Sequence, residues 1–263
     1  MPHCADVTRD YCSRFCGILL IDGKYITVKG FERKIPVIYG IDYLTHDIPT
    51  YIFSVGENYQ TCRSFFNSLR LLKYPLQAVV CDDNVNIYQA ATKVYPDCVI
   101  QLCHNHYKEN IRRALQVRTD ATYVPFMQEI EVLFSKRRSK EEFNLLAGKL
   151  VLRFGADLRC ASILADIQKR LPLLTGYMAA KRIPRTTNLI ECFNSHLEGR
   201  LKTIKGFESF QTADNWLNAY FLKRRLTKFT DCAKQFKFLN GHCALEKTLK
   251  DPAKIHEVLK LLR

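Results

Sequence analysis

Asp22 interrupts the apolar run GILLIDG, Asp82 and Asp83 end the run QAVVCDD, and Glu191 lies inside TTNLIECFNSHLEGR. Acids at the ends of buried segments are held by a rigid backbone. Where such carboxylates converge they repel one another, and a divalent cation is the charge that holds them together. Oxygen donors select a hard ion such as Mg2+ or Mn2+, and a pair of such ions bridging a phosphate supports phosphoryl transfer on nucleic acid. Each acid also has a plain structural use. Asp22–Gly23 reads as a hairpin turn. Asp82, Asp83 and Asn84 are good helix caps. Asn188 at an N-cap with Glu191 at the third helical position forms a capping-box pattern. Two features of Glu191 favour the chemical use. Leu189, Ile190, Cys192 and Phe193 surround it, and Asn194, Ser195 and Glu198 continue one polar stripe along the helix. A helix laying that stripe against strand ends would bring Glu191 to the aspartates. Lys24, Lys202 and Lys205 would then hold flanking phosphates.

The stretch QLCHNHYKENIRR, from Gln101 to Arg113, holds a second group of reactive side chains. Cys103 and His106 offer two of the four ligands that a structural zinc site needs. His104 is a third by composition only, and the rest would come from distant cysteines such as Cys160 or Cys192. Zinc is therefore possible but unsupported, and the lack of C-x-x-C argues against a redox site. The preferred reading puts Cys103 and His106 at a strand end beside the carboxylates. Cys103 is then buried packing, and His106 hydrogen-bonds DNA or a neighbouring loop.

These residues must be positioned by the elements around them. FCGILLIDGKYITV reads as strand, turn at Asp22–Gly23 and strand; KIPVIYGIDYL and TYIFSV read as further strands joined by short turns, an antiparallel start. NYQTCRSFFNSLRLLKY has helical periodicity. LQAVVCDD and CVIQLC are short apolar strands, and VNIYQAATKVYP and HYKENIRRALQV are helices. The resulting order, β-β-β-α-β-α-β-α, predicts an α/β fold with a mixed sheet covered by helices. Residues 121–182 carry only helical patterns and read as an all-helical insertion. The expected organisation is a short N-terminal remnant over 1–16, a first core segment over 17–120, the insertion over 121–182, a last core segment over 183–230 and a basic tail with helices over 231–263.

The formal charge is +14, from 40 Lys and Arg against 26 Asp and Glu, and from residue 181 onward there are 17 basic against 8 acidic residues. Such a balance favours a polyanionic partner over a neutral one. FLKRRLTKF serves DNA contact or a solvated helix face equally, and Trp216 reads as core rather than as a base-stacking platform. With 47% apolar and 25% charged residues the composition is that of a globular chain. Eleven scattered cysteines and a polar start with no secretory leader suit a reducing compartment, and no apolar run reaches membrane-spanning length.

The segments LLIDGKYITVKG, AVVCDDNVNIYQAATKVYP, QLCHNH and TTNLIECFNSHLEGRLKTIKGF, in this order, resemble the catalytic domain of mutator-type DDE transposases. The resemblance covers about residues 16–229. It implies a ribonuclease H-like core with a helical insertion before the last acid. It places the first acid on Asp22, the second on Asp82, the last on Glu191 and a C-x-x-H element on Cys103 and His106. The family has glycine where this chain has Asp83, which leaves Asp82 and Asp83 as alternatives, with Asp82 preferred. The implied activity is Mg2+- or Mn2+-dependent DNA strand cleavage followed by 3′-hydroxyl strand transfer, with two ions held by Asp22, Asp82 and Glu191. Supporting or DNA-contacting residues would be Cys103, His106, Asn188, Asn194, Arg200, Lys202 and Lys205. Double-stranded DNA is the expected partner, bound by a homodimer or higher oligomer without a membrane, in the nucleoid of a prokaryote or the nucleus of a eukaryote. Only 21 residues precede Asp22, so a truncated or split copy is expected. The alternatives are a ribonuclease H-like nuclease without joining activity and a non-catalytic DNA-binding remnant.

Overall fold

The computed structural model describes residues 1–261. The chain opens with α1 (Cys4–Tyr11), then β1 (Ile18–Ile26), β2 (Ile35–Asp42) and β3 (Tyr51–Phe53). Next come α2 (Tyr59–Leu71), β4 (Ala78–Cys81), α3 (Val85–Val94), β5 (Val99–Leu102) and α4 (His104–Ala114). After α1, and apart from β1, which the sequence reading divides at Asp22–Gly23, the strand and helix order is the one the hydrophobic periods predict. Helices α5 (Val124–Phe134), α6 (Lys140–Phe154), α7 (Leu158–Lys169) and α8 (Leu171–Leu174) follow, with no strand among them. The chain ends in α9 (Asn188–Leu201), α10 (Phe210–Leu226), α11 (Ala244–Thr248) and α12 (Ile255–Leu261).

The five strands form one sheet in the order β3-β2-β1-β4-β5. β1 pairs antiparallel with β2, and β2 with β3. On the other side, the amides of Gln77 and Ala78 reach the Gly17 carbonyl at the start of β1, and the Cys103 amide reaches the Cys81 carbonyl where β4 and β5 both end. Strands that begin and end together run parallel, as the helical crossover α3 between β4 and β5 requires. The sheet is therefore mixed, as expected.

One local expectation fails. There is no turn at Asp22–Gly23: β1 runs through both residues, Asp22 opposite Tyr39 and Gly23 opposite Ile38. The reason is pairing. Lys24, Tyr25 and Ile26 continue the ladder onto Val37, Pro36 and Ile35, and Gly23 keeps a strand conformation with no positive φ. The Asp22 carboxylate accepts from the Gly23 amide at 2.8 Å without bending the chain.

The chain divides into two compact units. The first comprises residues 1–79, 84–98 and 188 onward. Its core is built from Leu19, Leu20 and Ile21 of β1, the wholly buried β2, and Phe65, Phe66 and Leu69 of α2, which packs on α3. Asn58 caps α2 by accepting from the Thr61 amide, and Pro96 follows the end of α3. The second unit comprises residues 80–83 and 99–187 and holds β5 with α4 to α8. Phe126, Ile130, Leu133 and Phe134 of α5 meet Phe143 and Leu150 of α6 in its core, all nearly or fully buried. Ser139 and Glu142 form a capping box that starts α6.

Within FLKRRLTKF, read as a DNA-facing or solvated face, Lys223 and Lys228 are exposed, while Arg225 departs from that reading. It and Asp47 are both fully buried, with two bonds of 2.8 and 2.9 Å between them. Arg225 also donates to the Cys4 carbonyl, Thr8 and the Cys12 thiol, and Thr248 donates to Asp47 at 2.5 Å. Cys4 and Cys12 thus serve this network and the packing around it. Burial raises the Cys4 thiol to about 11 against the lowering effect of Arg225, so it stays protonated. No disulfide forms among the described residues, and among them no helix is long and apolar enough to cross a membrane.

A buried pair loses most when one partner is removed, because the other charge is stranded. Asp47→Asn is expected to destabilise the protein by about 3–5 kcal/mol, read as a fall in the urea midpoint of unfolding.

Candidate active site

In the first unit the polar stripe of α9 lies against β1, as its spacing predicts. Asn194 donates through its amide nitrogen to Asp22, and its amide oxygen accepts from the Tyr39 hydroxyl at 2.6 Å. One turn further on, Glu198 pairs with Lys24 at 3.2 Å, which occupies a lysine expected on phosphate. Opposed residues of an antiparallel pair share a face, so Asp22 and Tyr39 both point to the side that α9 covers. Tyr39 also packs on Phe221 of α10, ring centroids 5.0 Å apart. A buried tyrosine hydroxyl needs a partner, and this one sets the flip of the Asn194 amide and hence which end meets Asp22. Burial, then the neighbouring Asp22 charge, push the Tyr39 hydroxyl well above its ordinary range, so it remains a donor.

Glu191 precedes Asn194 by three residues on the same helix and therefore sits on the same face. α9 begins at Asn188, and Glu191 lies in its first turn. Asn188 is exposed, as are Arg200 at the end of α9 and Lys202 and Lys205 beyond it. None of these three cations pairs with a carboxylate among the described residues.

Another carboxylate of this unit went unnoticed in the sequence. Glu57 accepts from the Tyr25 hydroxyl at 2.6 Å and from the Asn84 amide at 2.7 Å. Its carboxylate comes so close to Gly23 that a Cβ there would lie 3.3 Å from Oε2. The only signal was the glycine beside Asp22, and it was read as a turn.

In the second unit, Asp82 and Asp83 follow the last residue of β4, both half-buried. They differ in their surroundings. Asp83 is ion-paired with Arg170, whose Nε binds Asp166 at 2.8 Å, and Asp166 in turn accepts from Tyr107 at 2.7 Å. Asp83 is thereby tied into a network between the β4 end, α4 and α7, in which it shares Arg170 with Asp166.

The QLCHNH stretch separates into structural and polar parts. Gln101 is fully buried; its side chain donates to the Leu102 and Leu174 carbonyls and accepts from the Tyr177 amide at 2.7 Å. His104 Nε2 donates to the Leu174 carbonyl at 2.7 Å. Gly176 packs so tightly on β5 that a Cβ would lie 2.2 Å from the Ile100 carbonyl. These contacts lock β5 to the turn after α8. Cys103 is buried, but it is more than packing. Its sulfur accepts from the Thr187 amide and hydroxyl at 3.3 and 3.1 Å. Burial acts to raise its pKa, and hydrogen bonds from His106 and Thr187 outweigh it, so the net shift is downward. Cys160 lies buried on α7 and Cys192 exposed on α9.

Burial also holds the His104 pKa down from 6.5 to about 4. The folded protein keeps this imidazole neutral where the unfolded chain binds a proton. Its contribution to stability is complete above about pH 6.5 and declines as the pH falls towards 4. Urea titrations across that window are expected to show His104→Gln losing stability with acid less steeply than wild type, by up to about 1.4 kcal/mol per pH unit.

The profile of the family described as Transposase, Mutator family, matches residues 10–224. No curated protein matches the chain. Among solved structures, the chain is similar to a Drosophila P element transposase strand transfer complex, at 10% identity and TM-score 0.43 over 84% of this chain and 80% of that one. It is also similar to a simian T-cell lymphotropic virus intasome in complex with PP2A regulatory subunit B56 gamma, at 12% identity and TM-score 0.28 over 60% of this chain. It spans 50% of the length of that second chain.

Proposed function

The chain belongs to the Mutator family of transposases, and from that membership we propose that it is a DDE transposase that cuts DNA strands and joins their 3′-ends to target DNA. Asp22, Asp82 and Glu191 are the acids of this reading, on a core of ribonuclease H-like type. The mixed sheet order, with one acid on β1 and another following β4, supports that core. The observation that carries the reading is the seat of Asp22. Its carboxylate is held by the Gly23 amide and by Asn194, and Glu191 stands on the same face of α9 as Asn194.

The donor set fits a hard divalent cation. The three acids offer oxygen only, and the seating of Asp22 by two N–H donors fixes its direction. Asp82 is preferred to Asp83 because Asp83 is already neutralised by Arg170, and a carboxylate committed to a guanidinium is a poorer ligand. Bound Mg2+ would activate the attacking water or hydroxyl and stabilise charge on the leaving oxygen.

The chain's own residues supply the rest. Asn194, itself oriented by Tyr39, sets the direction of the Asp22 oxygens. Lys202 and Lys205 are exposed cations without carboxylate partners and hold backbone phosphates, which fixes the strand without reading its sequence. In the first step water attacks phosphorus and the 3′-oxygen leaves. In the second that 3′-hydroxyl attacks a target phosphodiester and displaces its 3′-oxygen. Each step forms one P–O bond and breaks one.

Asp82→Asn and Glu191→Gln are expected to lower Mg2+-dependent cleavage of a DNA duplex by at least about a hundredfold, while Asp83→Asn keeps most of it. Equal loss in both aspartate variants would remove the distinction between them, and unchanged cleavage in Asp82→Asn and Glu191→Gln would end the reading. A supplied duplex with a free 3′-end separates a transposase, which yields joined products, from a nuclease, which does not. Asn194→Leu is expected to weaken the apparent Mg2+ affinity of cleavage by roughly 10–100-fold, measured as a shift of the metal titration.

A further inference from the structure

A second site lies in the first unit, in the groove between α9 and α10. It is a cavity of about 390 Å³ with His196 and Arg200 on one wall and Trp216, Tyr220, Lys223 and Arg224 on the other. That volume is within the range of small-ligand sites, roughly 300–1,000 Å³. Its lining has an unusual chemistry. Trp216 and Tyr220 stack on each other, ring centroids 5.4 Å apart and planes 11° apart. Phe207 braces Trp216 from beneath at 5.5 Å. Around this aromatic wall stand three cations, and no acidic side chain lines the cavity among the described residues. None of the three has a carboxylate partner. Arg224 lies over the Phe193 ring at 4.7 Å, and neither its Nε nor the Tyr220 hydroxyl has a hydrogen-bond partner in the protein.

A solvated helix face spreads its charges and leaves no cavity. Here like charges converge on a pocket with an apolar, flat-sided wall. Converging cations repel one another, and an anion placed among them relieves that cost. A phosphate answers the cations, and a base answers the aromatic wall, since base–aromatic stacking tolerates any sequence. A base paired in a duplex is stacked on its neighbours and has no free face to offer, so the ligand must be unpaired.

We propose that the α9–α10 cavity is a nucleotide site that receives an unpaired deoxynucleotide of a DNA strand, its base on the Trp216–Tyr220 stack and its phosphates on Arg200 and Lys223. The proposal rests on the DNA-processing reading above and adds to it a place for a strand that has left the duplex. It also revises the expectation that Trp216 is only core, because this side chain is half-buried at the cavity wall.

Trp216 is the one tryptophan of the chain, so its fluorescence reports this cavity alone. Oligothymidylate titrated into the full chain in EDTA is expected to quench Trp216 emission, and a duplex of matched length to quench it less. Arg200 and Lys223 are exposed, and the Arg200→Gln, Lys223→Gln double variant should fold as wild type by circular dichroism. It is expected to bind oligothymidylate about tenfold more weakly, with the slope of log K against log salt reduced by about 1.4 for two single-strand phosphate contacts. Absence of quenching, quenching equal in duplex and single strand, or a double variant that binds like wild type would overturn the site. EDTA makes the measurement independent of cleavage. Quenching without any Mg2+-dependent cleavage would leave the nucleotide site standing and remove the catalytic reading. Cleavage without quenching would do the reverse.

Discussion

The Asn194 side chain is the joint on which the proposed centre depends. One end of its amide takes the Tyr39 hydroxyl and the other gives to Asp22. The amide cannot turn over without losing both bonds, so a tyrosine on β2 decides which atom meets a carboxylate on β1. The same contact docks α9 on the sheet and carries Glu191 with it. Burial makes the joint stiff: Asn194 and Tyr39 are almost fully enclosed, where an unmet donor or acceptor costs about 1–3 kcal/mol.

The acids of this chain are sorted by what neutralises them. Asp47 is cancelled by Arg225 inside the core. Asp83 is cancelled by Arg170. Asp42 is fully buried, and burial raises its pKa against hydrogen bonds from the Thr45, Tyr74 and Cys16 side chains. Asp22 accepts hydrogen bonds from the Gly23 and Asn194 amides, which orient its carboxylate. The cations sort in the same way. Arg225 is consumed by the core and Lys24 by Glu198, while Arg200, Lys202, Lys205 and Lys223 remain exposed. A net charge of +14 is therefore a poor guide until each cation's partner is known.

Much of the fold was legible because its signals are local. The helical period of NYQTCRSFFNSLRLLKY and the short apolar runs LQAVVCDD and CVIQLC each identify an element from a few neighbouring residues, and all appear where expected. The failure at Asp22–Gly23 is instructive for the same reason. The dipeptide is a good turn former, but eight consecutive pairings with β2 outweigh one local preference. Trp216 and Arg225 exchanged roles: the aromatic residue reached a cavity wall, and the arginine of a basic run went inside.

The sequence alone determined the types and order of the elements, the family, and the identity of the candidate acids, because periodicity, composition and short motifs are carried by adjacent residues. It also placed the polar stripe of α9, which is a matter of helical spacing. Only the tertiary structure decided which distant side chains the acids meet. Asp83 meets an arginine 87 residues away, Asp22 an asparagine 172 away and Asp47 an arginine 178 away. No local spacing encodes such pairings, since they arise only when the packed elements bring distant side chains within hydrogen-bond range.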